Sequence, residues 1–187
     1  MSIEVRPATR SRWDDLVRLF GPNGAYANCW CMWWRMRSAD FDKAPPRSKR
    51  EGLRRLVAGG RAPGLLAYEG GEPVGWVSLA PREEYGRLER SPTLKRVDDV
   101  PVWSIVCFFV HRRHRSRGVA RALVRGAVDH AARRGARVVE AYPVDPTRRA
   151  YPSAEAYTGV MPLFEEAGFR EVARRGNRPI MRRHIGG

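Results

Sequence analysis

Lysine is nearly absent from this chain. Lys43, Lys49 and Lys95 are the only three among 187 residues, so 32 of the 35 cationic side chains are arginine. Acids are short as well, and 20 Asp and Glu leave a formal net charge of +15. An arginine excess has two readings. It can reflect a GC-rich genome, or it can serve an anionic partner, because a planar fork of donors suits phosphate. Cysteine is scarce and odd in number: Cys29, Cys31 and Cys107. That excludes a disulfide framework and points to a reducing cytosol. The Cys-x-Cys at 29–31 has no second pair to complete a zinc site, so no metal is expected. Long apolar runs are missing. The longest, Val100–Val110, falls far short of the roughly 20 residues that span a bilayer. The start, MSIEVRPATRSRW, lacks the apolar stretch of a signal peptide. There is no internal repeat and no low-complexity segment. Neither a Walker A pattern nor GxGxxG occurs.

What is present suits one domain, residues 1–187, with one core. Hydrophobic residues make up 43% of the chain, too many for a disordered one. Ile3–Arg6 reads as a first strand. A helix follows to about Phe20, with Trp13, Leu16, Val17 and Phe20 on one face, and Gly21-Pro22-Asn23-Gly24 stops it. Residues 25–46 pack aromatics and sulfur densely, then turn polar and end in Pro-Pro. Ser48 can cap a helix through Val57. Leu65–Tyr68 and Val74–Leu79, joined across Glu69-Gly70-Gly71-Glu72, predict a hairpin. Arg82–Asp99 is a charged stretch with room for one short helix. Val102–Val110 is apolar at nearly every position, as a central strand covered on both faces would be. Gly118–Arg134 predicts a helix, with Val119, Leu123, Ala127 and Ala131 on its inner stripe. Then come a strand at Arg137–Tyr142, a loop at 143–152, a helix at about Gly159–Ala167 and a strand pair at Phe169–Ala173 and Pro179–Arg183. The order is mixed α/β around one sheet.

The charge is uneven. His111–Arg134 carries eight arginines against the single acid Asp129. This cluster sits where the central strand ends and its helix begins on Gly118. Backbone N–H groups at such a helix start, together with its dipole, bind phosphate or pyrophosphate. Gly118 lets the backbone approach a ligand, and Ala120 keeps the helix near the sheet.

The junction resembles that of the GNAT superfamily of N-acetyltransferases. Arg115, Gly118 and Ala120 match the signature Arg/Gln-x-x-Gly-x-Gly/Ala after a central strand, and Leu163-Phe164-Glu165-Glu166-Ala167-Gly168-Phe169 matches the family's late helix, L-Y-E-x-x-G-F. The resemblance covers the element order of the whole chain, but only Phe108–Val124 and Leu163–Phe169 are specific. It implies an α/β (α+β) fold with a central mixed, mostly antiparallel sheet of about six to seven strands flanked by helices. It implies acetyl-CoA as cosubstrate, with pyrophosphate on the amides of Arg115, Ser116, Arg117, Gly118, Val119 and Ala120, and Arg121 also among the cofactor-binding residues. The pantetheine arm would pair with the strand end at Phe108, Phe109 and Val110. Nearby arginines could reach the 3′-phosphate. A homodimer is common in the family.

Phe164 departs from the pattern, because relatives often use a tyrosine there as general acid and phenylalanine has no proton to give. Tyr157 and Tyr142 are the candidates for that role. Glu140, within a strand beside the central one, is the candidate base; the alternative is a surface residue. Asp98 and Asp99 could hold a cationic amine or simply be solvated. By the resemblance, Trp30, Trp33 and Trp34 lie in the segment that covers the acceptor pocket. They could wall that pocket, and hold a cation by a ring face, or pack the core. The expected activity is direct transfer of acetyl from acetyl-CoA to an amine of a small molecule or peptide in a ternary complex. A CoA sensor without turnover and an arginine-rich nucleic-acid module are the alternatives. The tryptophans lie far in sequence from the arginine-rich helix, which weighs against nucleic acid.

Overall fold

A computed structural model describes residues 2–147 and 155–186. Seven strands form one sheet in the order β1-β2-β3-β4-β5-β7-β6. They are β1 (Ile3–Pro7), β2 (Gly64–Glu69), β3 (Glu72–Pro81), β4 (Trp103–Val110), β5 (Val138–Ala141), β6 (Arg170–Arg175) and β7 (Arg178–His184). Every neighbouring pair is antiparallel except β4 and β5. A parallel pair needs a crossover, and α5 (Val119–Arg133) supplies it. The expected mixed, mostly antiparallel sheet is therefore observed.

The helices are α1 (Trp13–Phe20), α2 (Ser38–Lys43), α3 (Pro46–Ala58), α4 (Gly86–Glu89), α5 and α6 (Met161–Glu165). On one face of the sheet, α5 buries Val119, Leu123, Val124, Ala127 and Ala131 against Leu65, Val77, Ile105, Val139 and Met181. Leu123 is fully buried, so truncating it to alanine would cost about 2–5 kcal/mol. The helix lies close to β3 because Gly75 has no side chain: a Cβ there would come within 2.6 Å of Val119 Cγ1. The opposite face is covered by α1, α3 and the coil between α1 and α2. There Leu16, Phe20, Trp30, Leu53 and Trp76 form a second cluster. Trp34, Tyr85, Val106, Tyr142 and Ile180 belong to a third.

Two elements differ from the reading of the sequence. The late helix is broken: a 3-10 turn at Glu155–Thr158 precedes a short α6, with Gly159 between them at φ +84°. The polar stretch before Pro45-Pro46 contains α2, which buries only Phe41.

Candidate active site

The centre of the sheet is built to come apart. β5 pairs with β4 only at Trp103↔Val139, Ser104↔Glu140 and Ile105↔Ala141. The chain leaving β5 then bonds elsewhere: Val144 N–H donates to Gly159 O at 2.8 Å, and Met161 N–H donates to Val144 O at 3.0 Å. On the β3 side, pairing passes from Ser78↔Cys107 to Leu79↔Ile105, so Val106 is an extra residue. Such a bulge bends the strand and sharpens its twist. The outcome is a groove along the β5-facing edge of residues 106–110, whose side chains from Cys107 to Val110 are only half-buried.

The head of this groove is the start of α5. Ser116 and Gly118 adopt left-handed φ of 59° and 83°, turning the chain tightly into the helix. The first helical bond is Ala122 N–H to Gly118 O, and no side chain caps the preceding amides. Val119 is buried and offers a ligand only its backbone, while Gly118 and Ala120 are half-buried. The turn is braced from below: His114 Nδ1 lies 2.7 Å from Glu69 Oε2, Arg117 pairs with Glu69 at 3.3 Å, and Arg115 Nε donates to Val110 O. Arg121 pairs with Glu166 on the segment after α6 at 2.6 Å. Phe108 and Phe109 lock the strand end, edge-on to Phe164 and Phe20 respectively.

Phe164 itself is fully buried between Phe108 and Phe169. Tyr157 lies elsewhere. The turn Glu155–Thr158 places it in the cluster of Trp34, Val106 and Cys107, with its ring 6.4 Å from Trp34. Its hydroxyl has no hydrogen-bond partner among the described residues. Burial, followed by the neighbouring Cys107 thiol, pushes its pKa up to about 12.

Glu140 and Tyr142 have different surroundings. Glu140 is fully buried; Arg82 Nη1 donates to its Oε1 at 2.9 Å, and Arg182 Nε donates to its Oε2 at 2.7 Å. Tyr142 O–H donates to the same Oε1 at 2.6 Å, accepts from Arg82 and bonds Ser104 Oγ. Burial, with the nearby Glu140 charge, holds the Tyr142 phenol well above its ordinary pKa. Asp98 closes the network as a bidentate partner of Arg182, whose hydrogen bonds hold its carboxyl below the usual range. With both oxygens held by guanidinium groups, Glu140 has the setting of a structural anion, not of a base awaiting a proton. Nothing in the sequence near Glu140 signals Arg82 or Arg182.

The three candidate tryptophans separate. Trp30 is a core residue, 5% exposed, stacked on Trp13 and packed on Phe20. Trp34 is buried beside Tyr157. Trp33 is 36% exposed, edge-on to Phe41, with Arg87 stacked 3.6 Å from its ring centre. The coil that carries them is held in an unusual path. Ala25, Ala27, Asn28, Trp30 and Cys31 all have left-handed φ, each costing on the order of 1 kcal/mol or more. Packing offsets that cost: Cys31 is buried and accepts a hydrogen bond from Trp76 Nε1 at 3.0 Å. A separate recess of about 520 Å³, lined by residues including Glu4, Arg6, Asp15 and Tyr68, lies at the β1–β2 edge and shares no lining residue with the groove.

The profile of the Acetyltransferase (GNAT) family matches residues 28–159, from the aromatic coil through the groove. The chain belongs to the GNAT family. It is therefore an acyltransferase of GNAT type. Similar solved structures share its fold at low identity. A histone acetyltransferase HPA2 and related acetyltransferase from Corynebacterium glutamicum is 19% identical at a TM-score of 0.60, covering 100% of this chain and 98% of its own. The PaiA N-acetyltransferase of Thermoplasma acidophilum, in complex with coenzyme A, is 14% identical at 0.56, covering 99% and 100%. YncA of Salmonella typhimurium, a putative acetyltransferase with its cofactor acetyl-CoA, is 18% identical at 0.55, covering 100% and 95%. No curated protein matches the sequence. No helix among the described residues is long and apolar enough to cross a membrane.

Proposed function

We propose that this GNAT protein transfers an acetyl group from acetyl-CoA to an amine in a ternary complex, in the cytosol. The observation that carries the reading is the groove between β4 and β5, running from an uncapped helix start to a half-buried tyrosine. These residues fit the cosubstrate. The amides of residues 115–121 offer donors and a helix dipole to pyrophosphate. Exposed Arg112, Arg113 and Arg115 add charge for a terminal phosphate. The open edge at Phe108, Phe109 and Val110 can pair with an extended amide-bearing arm, as an added strand would.

Acetyl-CoA supplies the acetyl group as a thioester. The chain's own part is positioning and proton handling. A backbone N–H on the β4 edge can polarise the acyl carbonyl. Tyr157 keeps its phenol protonated at neutral pH and can give that proton to a departing thiolate. Glu140 is reserved for the fold, so the attacking amine loses its proton to solvent in the groove. Trp33 and Trp34 border the acceptor, whereas Trp30 packs the core.

The test is thiol release from acetyl-CoA with a panel of amines, beside the melting temperature with and without acetyl-CoA. Thermal stabilisation plus amine-dependent release is expected. Stabilisation without release from any amine would instead mean binding without turnover. Steep salt-dependent DNA binding with no response to acetyl-CoA would overturn the reading outright.

A further inference from the structure

Most buried cations in this protein are answered by acids. Arg35 meets Glu84, Arg82 meets Glu89 and Glu140, and Arg182 meets Glu140 and Asp98. Arg87 is different. Its Nε donates to Trp33 O at 2.6 Å and its Nη1 to Ser38 Oγ at 2.7 Å, while its guanidinium stacks on the Trp33 ring. Its Nη2 is buried with no hydrogen-bond partner, and no carboxylate pairs with it among the described residues. Trp34 presents the same anomaly: its side chain is buried, and Nε1 has no acceptor. The two residues are joined directly, Arg87 N–H donating to Trp34 O at 3.1 Å.

Indole Nε1 and guanidinium Nη2 can only donate, so what would satisfy both is an acceptor. A buried donor left unmet costs about 1–3 kcal/mol, and more when charged. Burial, followed by the nearby Arg90 charge, pulls the Arg87 pKa down, against the opposing charge of Asp42. The pair also lies on the reacting side of the sheet. Trp34 shares its cluster with Val106, Cys107 and Tyr157 at the open half of β4.

From this geometry we infer that the acceptor is an amine that also bears a carboxylate, an amino-acid-like molecule, whose carboxylate is received by Arg87 Nη2 and Trp34 Nε1. This rests on the acetyl-transfer reading above and names its substrate class. Both donors are covered in the unliganded protein. Trp33, which lies on Arg87 and is partly exposed, is the wall that gives on binding. The fork is already fixed by Trp33 O and Ser38, so little side-chain freedom is lost when the carboxylate arrives.

The experiment pairs L-amino acids with their own carboxamides as acceptors. For the best pair, kcat/KM should favour the acid by about tenfold or more, because a site built to hydrogen-bond one group rejects the analogue lacking it. Arg87→Gln should abolish that preference mainly through KM. Arg87→Lys should restore part of it, and Trp34→Phe should weaken it several-fold. A second arm does not depend on turnover: calorimetric binding of the same amino acids and their carboxamides to the wild type and to Arg87→Gln, each saturated with CoA. Failure to release thiol with any amine would remove the acetyl-transfer reading and leave this arm to decide. Equal use or equal binding of acids and carboxamides by the wild type would overturn the inference. So would an Arg87→Gln protein that keeps the wild-type preference.

Discussion

The two halves of β4 face opposite demands. Its first residues, Trp103–Ile105, are flanked by strands on both sides, and across them lies a closed network of Glu140, Arg82, Arg182, Tyr142 and Asp98. Its last residues, Val106–Val110, have β3 on one side and a groove on the other. In the closed half every named charge has a partner, and the network's worth is spent on holding one geometry. In the open half the polar groups are backbone amides, a lone phenol and two orphaned donors. The lesson is that a carboxylate in a central strand is not thereby catalytic. What matters is whether its oxygens are already taken.

The largest effect should come from breaking the closed half. Glu140→Gln removes the buried carboxylate shared by two buried guanidinium groups, leaving Arg82 only Glu89 and Arg182 only Asp98, and should cost about 3–5 kcal/mol in urea unfolding. The folded fraction should keep its pH–rate profile. A stable Glu140→Gln enzyme that loses the acidic limb of that profile would reverse the comparison and make Glu140 the base. Next is Tyr157→Phe in the open half. It should lower kcat about 10²-fold, the usual scale for losing a general acid, with little change in urea midpoint. Because the phenol pKa is raised to about 12, wild-type kcat should show no loss attributable to Tyr157 until well above neutral pH.

A smaller effect is expected at Gly118, whose φ of +83° is left-handed. Gly118→Ala should cost about 1 kcal/mol of stability and weaken acetyl-CoA, read as a smaller thermal shift on adding it. Smallest is Asp98→Asn. The Asp98 carboxyl is held below its ordinary value of 3.8 by Arg182, so its contribution is complete above that pH and fades as pH falls through the depressed folded-state value. The wild-type melting temperature should therefore fall more steeply with acid below about pH 4 than that of Asp98→Asn. Identical acid slopes would place the closed network's pH sensitivity elsewhere.

Local patterns carried most of the fold. The apolar run at Val102–Val110 and the i, i+4 stripe of α5 set the central strand and its crossover, and the Gly70-Gly71 link set the hairpin. The proposed anion-binding end of the groove rests on an equally local pattern, since Arg115, Gly118 and Ala120 lie within six residues. What escaped was long-range. Arg82 meets Glu140 across 58 positions and Arg182 meets it across 42, so no local pattern separates a caged carboxylate from a poised one. Arg87 is one arginine among many in a charged stretch, and only the packed structure shows that its Nη2 is buried without a hydrogen-bond partner. The short α2 escaped because six residues with one buried side chain carry no helical period.

The extra residue Val106 also acts on parity. Before it, the odd-numbered Trp103 and Ile105 point toward α5; after it, the even-numbered Phe108 and Val110 do. Val106 and Cys107 fall consecutively on the opposite side, in the cluster that holds Trp34 and Tyr157. One strand thus keeps its grip on the helix while shifting phase halfway along. Deleting a single residue there would put the strand back on one alternation and turn every side chain of the groove edge to the wrong face.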